Sequence, residues 1–374
     1  MKKVIAIDHG NKLMKGIKTV FPASFVESNY LPTIGGDHLR FGDKSYILTD
    51  ESLPVLNNKT NCERYFILSL YAIGKELEND GEFVKRYLPH STHAPHVNVE
   101  LLVGLPLQHY ETFRVDFAKY FKKRIDVISF ELNGRVYAIQ FDGVHVYPQA
   151  YAAAITAYDR LVDSRVLNIV DIGGFTIDCL QLNKFKPNMN LCTSLYRGVN
   201  TLFQSINEQI RSMGYRDISE NIIEEIIKGD PAVLSEYSQK RIDVITSVTL
   251  AHVNRILAEI EQKNFDLEED KTVFMGGGSI LLKDYILQTG KVKKPIFIDD
   301  VNANAKGYRL LYDMQNGNGD NRRNHQADAG SDLDESVYGN AGGDSTNPIN
   351  LDNSTPQEHP SHSVRHNLRH NQGT

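Results

Sequence analysis

Two stretches of this chain repeat one pattern: a run of branched apolar residues, an aspartate, a glycine within the next few positions, then a second apolar run. The first is KVIAIDHGNKLMKGIKTV, residues 3–20, and the second is VLNIVDIGGFTIDCLQL, residues 166–182. Continuous branched apolar runs predict buried strands, and glycine at the break predicts a tight turn into a returning strand. Asp8 and Asp171 therefore sit at equivalent places, 163 positions apart. Two such units at that spacing predict two domains facing each other across a cleft. Asp-x-Gly-Gly between strands is also a common hairpin turn, so the pattern by itself leaves a ligand open.

The remaining periodicity fills in an α/β chain. Tyr65, Ile67, Leu68, Tyr71 and Ala72 recur at helical spacing, which predicts a helix over residues 61–77 with one core face. RFGDKSYILT reads as one strand, and VNVELLVGLP as a buried strand ending in a turn, followed by a helix over residues 107–123. Asn133-Gly134 joins IDVISFEL to RVYAIQF as a hairpin, with VHVYP as a further strand. QAYAAAITAYDRLV then predicts one small-residue helix with Pro148 and Gln149 in its first turn. LCTSLYRGVNTLFQSINEQIRSMG, residues 191–214, reads as a strand, a turn at Gly198 and a helix from about Asn200. Residues 219–263 read as helices broken at Gly229-Asp230-Pro231, and KTVFMGGGSILLKDYIL as strand, triple glycine and helix. A last strand and a helix rich in small residues (Ala303, Ala305, Gly307) close the fold. From about Asn316 onward apolar residues nearly vanish, predicting a disordered tail over residues 315–374.

Composition narrows the classes. The 374 residues suffice for two domains, and a formal net charge of −6 argues against direct nucleic-acid binding by the folded body. Three scattered cysteines, Cys62, Cys179 and Cys192, form no Cys-x-x-Cys pair and indicate neither disulfides nor zinc. The opening apolar run breaks at Asp8, too short for a signal peptide, and no run approaches the ~18 apolar residues of a membrane span. The expected location is the cytoplasm.

Several residue types suit phosphate chemistry. Glycines at a turn let backbone N–H groups approach an anion, Thr176 adds a hydroxyl, and Asp171 could reach a metal through its water shell. Lys12 and Lys15 could meet a phosphate or simply be solvated, and His9 could touch phosphate or point into solvent. Gly276, Gly277 and Gly278 permit close approach of a ligand, with Ser279 as a helix cap. His90, His93 and His96 invite a metal reading, but Pro89 and Pro95 break any helix that could align them. The tail has an acidic middle (Asp328, Asp332, Asp334, Glu335). Its end carries His359, His362, His366 and His370 and would gain charge below about pH 6.5.

Taken in order, IAIDHGNKLMKG, YPQAYAAA, IVDIGGFTIDCLQL, RGVNTLFQSI, FMGGGSILL and NANAKGY resemble the actin-like ATPase superfamily, and within it the plasmid-segregation proteins of the ParM/StbA type. The resemblance covers roughly residues 3–313. It implies two ribonuclease-H-like domains, residues 1–148 and 149–300, with a closing helix at 301–314 packing back at their junction and nucleotide in the cleft between them. It implies ATP, or GTP, with Mg²⁺. Asp8, Gly10, Asn11 and Lys15 would form the first phosphate loop; Asp171, Gly173, Gly174 and Thr176 the second; and Gly276, Gly277, Gly278 and Ser279 the adenosine pocket. Asp8 and Asp171 would hold the metal through water. Gln149 takes the place of the residue that orients the attacking water, where some plasmid-type members have Glu and actin has Gln. The implied activity is slow, assembly-stimulated ATP hydrolysis by a filament-forming protein, coupled to centromere-like DNA through an adaptor protein. A small-molecule kinase of the same fold, with Asp178 as its base, and a non-polymerising nucleotide-gated regulator remain alternatives.

Overall fold

The computed structural model describes residues 1–29, 36–50, 58–87 and 96–317. His90 and His93 lie outside these, as does the tail expected from residue 315 apart from Gln315, Asn316 and Gly317. Among the described residues no helix is long and apolar enough to cross a membrane.

Among the described residues the larger sheet uses nine strands: β1 (Lys2–His9), β2 (Leu13–Lys15), β3 (Val20–Pro22), β4 (Phe25–Ser28), β5 (His38–Phe41), β6 (Lys44–Leu48), β7 (His96–Leu105), β8 (Ile128–Leu132) and β9 (Arg135–Pro148). Their order is β3-β2-β1-β7-β9-β8-β5-β6-β4. The smaller sheet has β10 (Val166–Ile172), β11 (Ile177–Asn183), β12 (Lys186–Leu195), β13 (Lys271–Met275) and β14 (Pro295–Phe297), in the order β12-β11-β10-β13-β14. Each sheet begins with an antiparallel meander of three strands and continues with two parallel strands, β7 and β9 in one, β13 and β14 in the other. The repeated sequence pattern is thus a repeated topology. Asp8 pairs with Lys15 across the first hairpin, as Asp171 pairs with Asp178 across the second.

The helices are α1 (Arg64–Glu78), α2 (Gly81–Tyr87), α3 (Leu107–Lys122), α4 (Tyr151–Ile155), α5 (Tyr158–Leu161), α6 (Val199–Ser212), α7 (Glu220–Lys228), α8 (Pro231–Glu236), α9 (Gln239–Gln262), α10 (Gly277–Thr289) and α11 (Ala303–Gln315). Among the described residues three apolar clusters hold the layers together. Aromatic residues of α1 and α3, such as Phe66, Tyr71, Phe117 and Phe121, pack on the larger sheet, while Leu202, Phe203, Val253 and Ile256 of α6 and α9 pack on the smaller. The third cluster mixes tyrosines and leucines with the alanines of α4 and α11, which cross where a Cβ on Gly307 would stand 2.0 Å from the Ala152 carbonyl oxygen. Only glycine permits that approach.

Three local readings change. RFGDKSYILT is two paired strands, β5 and β6, because Gly42 takes φ +61° and turns the chain. RVYAIQF and VHVYP are one strand, β9, in which an extra residue near Asp142 bulges where the pairing with β7 shifts. The helix expected from Pro148 starts later and breaks in two. Pro148 ends β9, where its missing N–H costs no ladder bond, Ala150 adopts φ +62°, and Thr156 turns its hydroxyl back onto the Ala153 carbonyl between α4 and α5.

Candidate functional site

The two aspartate turns open onto a single cavity of about 320 Å³. Asp8, Gly10, Asn11, Lys12 and Lys15 line it from the first hairpin, and Asp171, Gly173, Gly174 and Thr176 from the second. Gln149, Gly277 and Gly278 complete the expected set, while Gly276 and Ser279 lie behind the wall. Ser279 is 1% exposed and donates its hydroxyl to the Met275 carbonyl, so it does not cap α10, whose N-cap position is Gly276.

The three consecutive glycines have different reasons. Gly276 has φ +85°, and a Cβ there would stand 2.3 Å from Asp171 Oδ1. A Cβ on Gly278 would stand 2.5 Å from Ile172 Cγ2, so α10 packs against bare β10. Gly277 meets nothing within 4 Å and faces open cavity. Packing explains the first two; the third leaves room for something the protein itself does not supply.

Asn304, in the first turn of α11, ties the two hairpins. Its Nδ2 lies 3.4 Å from both Asp8 Oδ2 and Asp171 Oδ2, and its Oδ1 accepts from the Ala150 N–H at 2.9 Å. Asp8 also receives the Gln149 side-chain amide at 2.6 Å and the Tyr308 hydroxyl at 3.5 Å. The Gln149 backbone is fixed in turn, its N–H donating to the Leu105 carbonyl and its carbonyl accepting from Tyr151. The second turn is braced by Gly173 N–H to Thr176 O, and by Val199 and Asn200 N–H groups donating to the Gly173 and Gly174 carbonyls.

Charge is concentrated and poorly solvated here. Burial pushes the Asp171 carboxyl up to about 6, against the pull of Lys15 and with the added repulsion of Asp178 and Asp8. Asp178, which also lines the cavity, is raised by burial although Ser194 and Thr176 donate hydroxyls to it. Lys59 is buried in the cavity wall with its ammonium on the His9 carbonyl. Burial pulls it down to about 8, despite attraction to Asp8 and Asp178. Hydroxyl and carboxylate oxygens are the donors, which suits a hard cation. Among the described residues no three His, Cys, Asp or Glu side chains cluster closely enough to hold one by themselves.

Lys59, Asn304, Glu224 and Lys228 were not singled out by the sequence, and Lys12 only as a lesser candidate. Glu224 and Lys228 of α7 form an i,i+4 pair at 3.4 Å on the cavity's rim. His9 takes neither of its expected positions. Its ring is fully buried among Tyr65, Phe117 and Phe121, with Nε2 2.7 Å from Ser69 Oγ, and burial holds it neutral. Strand parity accounts for this: Asp8 faces the cavity, so its neighbour on β1 faces the core.

A family model described as the actin-like proteins' N-terminal domain matches residues 6–151, and one described as the C-terminal part of MreB-like archaeal actin homologues matches residues 169–288. No curated protein matches the chain in sequence. Solved structures share its fold at low identity. An archaeal actin homologue in complex with ADP is 17% identical with a TM-score of 0.62, the alignment covering 83% of this chain and 99% of that one. The actin-like protein Alp7A is 14% identical with a TM-score of 0.64, covering 85% and 99%. ParM in a 15-stranded filament from Clostridium botulinum is 19% identical with a TM-score of 0.61, covering 84% and 100%. The two family models follow one another along the chain and each takes in one of the aspartate turns, so the chain belongs to the actin-like ATPase superfamily.

Proposed function

We propose that the chain is a nucleotide-dependent actin-like ATPase that assembles into filaments and serves the segregation of a plasmid or other mobile DNA through a separate DNA-bound adaptor. The observation that carries the nucleotide reading is the Asn304 bridge. One neutral amide lies between two carboxylates delivered by topologically equivalent hairpins, with open space beside them. Two carboxylates on one amide leave negative charge uncompensated, and the turns around them offer backbone donors and cations.

ATP is the expected substrate, with GTP as the other purine. Its phosphates would lie between the Gly10 and Gly173-Gly174 turns, facing Lys15 and Lys59, and its base toward Gly277 and the α7 rim. Asp8 and Asp171 would hold a Mg²⁺ ion through water, and that ion would supply charge neutralisation to the terminal phosphates. Gln149 would turn its amide from Asp8 to the attacking water. A glutamine positions water without taking its proton, which fits slow turnover. Because Asn304 also holds the Ala150 N–H, a ligand that shifts the aspartates acts directly on the α4–α11 crossing, the natural hinge between the two sheets.

Assembly is supported by the filament structure of the similar ParM. A kinase on the same fold would need a free carboxylate beside an acceptor hydroxyl, and the Asp178 carboxylate is already engaged by Ser194 and Thr176. The test is light scattering and phosphate release recorded together over a protein concentration series with Mg²⁺ and ATP. Both should rise above one threshold concentration. Hydrolysis strictly proportional to protein, without scattering, would defeat the filament reading.

A further inference from the structure

Lys12 leaves the first aspartate turn and crosses to the far side of the cavity. Its Nζ lies 2.7 Å from Glu220 Oε2, at the first turn of α7, and 5.0 Å above the Phe203 ring of α6. Its stem runs along the bare backbone of the second turn: a Cβ on Gly174 would stand 2.7 Å from Lys12 Cβ and 3.0 Å from Lys12 Cδ. One side chain therefore links the larger sheet's hairpin, the smaller sheet's hairpin and the helix whose next turns, at Glu224 and Lys228, line the same cavity.

The position of this link matters. The Asn304 contacts and the Asn302 amide on the Ile17 carbonyl, at 3.3 Å, tie the two sides through α11. Lys12 ties them through α7. A cavity joined through both helices opens only when one tie releases. The Lys12–Glu220 pair is the weaker of the two, with side chains 26% and 46% exposed, so water and salt compete for it. Buried α7 residues Ile223, Ile226 and Ile227 move with Glu220 if that end of the helix swings away.

We propose that the Lys12–Glu220 pair is a latch that sets how fast nucleotide leaves the cavity. This rests on the nucleotide reading above and adds to it a gate with a defined electrostatic signature. Release of Glu220 lets α7 move outward, taking Glu224 and Lys228 off the bound ligand. An ADP terminal phosphate does not have to contact Lys12 for this to work, since the pair acts by holding α7.

The experiment preloads the full-length protein with fluorescent N-methylanthraniloyl-ADP, chases with excess unlabelled ADP, and follows dissociation by stopped flow at rising ionic strength. Glu220→Gln should dissociate about one and a half to five times faster than wild type at low salt, the range that one exposed ion pair supports. The wild-type rate should climb with salt until the two proteins coincide. Glu220→Lys should dissociate faster still, and adding Lys12→Glu to it should bring the rate back toward wild type. Equal rates for wild type and Glu220→Gln at low salt, or an acceleration that salt does not remove, would overturn the latch while leaving nucleotide binding intact. Absence of any fluorescence change when wild type meets the analogue would instead overturn the nucleotide reading itself, and the latch with it.

Discussion

Replacing Lys59 with methionine should stabilise the nucleotide-free protein and cripple its use of nucleotide. Lys59 is 8% exposed, and burial brings its pKa from 10.5 to about 8. At ~1.4 kcal/mol per pKa unit, keeping that ammonium charged inside the fold costs about 3 kcal/mol at neutral pH. The folded-state pKa lies below the unfolded one. The cost is therefore fully present below about pH 8, shrinks as pH rises toward 10.5, and is absent above it. Methionine has a similar stem and no charge. Its loss of the bond to the His9 carbonyl gives back about 1 kcal/mol, so a net gain of about 2 kcal/mol is expected at pH 7. Removing a charge-assisted contact to phosphate should meanwhile weaken ATP binding by about 1.5–3 kcal/mol, roughly ten- to a hundredfold. Urea denaturation at pH 7 and pH 9.5 measures the first effect and nucleotide titration the second. A Lys59→Met protein that is less stable than wild type at both pH values, with unchanged ATP affinity, would make Lys59 a packing residue and refute the reasoning.

Asp171 gives a pH dependence of the opposite kind. Its folded pKa of about 6 lies above the ordinary carboxylate value, so its ionisation costs stability progressively from about pH 4 to pH 6 and fully above. The same ionisation is what a metal needs, so Mg²⁺-dependent nucleotide binding should fall as pH drops through about 6, and Asp171→Asn should remove both the binding and its pH dependence in a titration series. Gln149→Ala should lower turnover by about tenfold or more while changing ATP affinity little, because positioning the water matters in the transition state; equal losses in both would mark Gln149 as a structural residue of the β9–α4 turn. Gly276→Ala should destabilise by about 1–3 kcal/mol, since φ +85° and the Asp171 carboxylate both exclude a Cβ. Gly277→Ala should leave the melting temperature nearly unchanged and weaken nucleotide binding, and the contrast between the two is read by thermal denaturation beside nucleotide titration.

What could be read from the chain alone was whatever is written locally. The aspartate hairpins were legible because branched runs, a carboxylate and glycine are contiguous, and their equivalence in the two sheets followed from the repeated pattern. The Asn133-Gly134 hairpin was legible for the same reason, with both residues at positive φ, +50° and +82°. Gly42-Asp43 carries a weaker version of that signal, and apolar residues on either side hid the turn between β5 and β6. Pro148 and Gln149 look like a helix start, yet pairing with Leu105 keeps Pro148 in β9, and Gln149 and Ala150 form the turn that follows. Lys59 and Asn304 were illegible because nothing in their neighbours' pattern says which wall they reach. Lys59 is placed by the packing of the segment before α1, and Asn304 by the close α4–α11 crossing, 133 positions from the Asp171 carboxylate it touches. Lys12 and Lys15 flank two strand residues at one hairpin, and only the pairing of Lys15 with Asp8 separates the one beside the carboxylates from the one that reaches α7. His9 could have been placed by the alternation of β1 once Asp8 was assigned to the cavity.

The most direct test of the central claim is calorimetric titration of purified protein with ATP in the presence and absence of Mg²⁺, wild type beside Asp171→Asn. Saturable, Mg²⁺-dependent binding of a single nucleotide by wild type, lost in the variant, is what two aspartate turns closing on one cavity require. Binding that ignores Mg²⁺, or that survives Asp171→Asn undiminished, would place nucleotide elsewhere and contradict the assignment of this cavity.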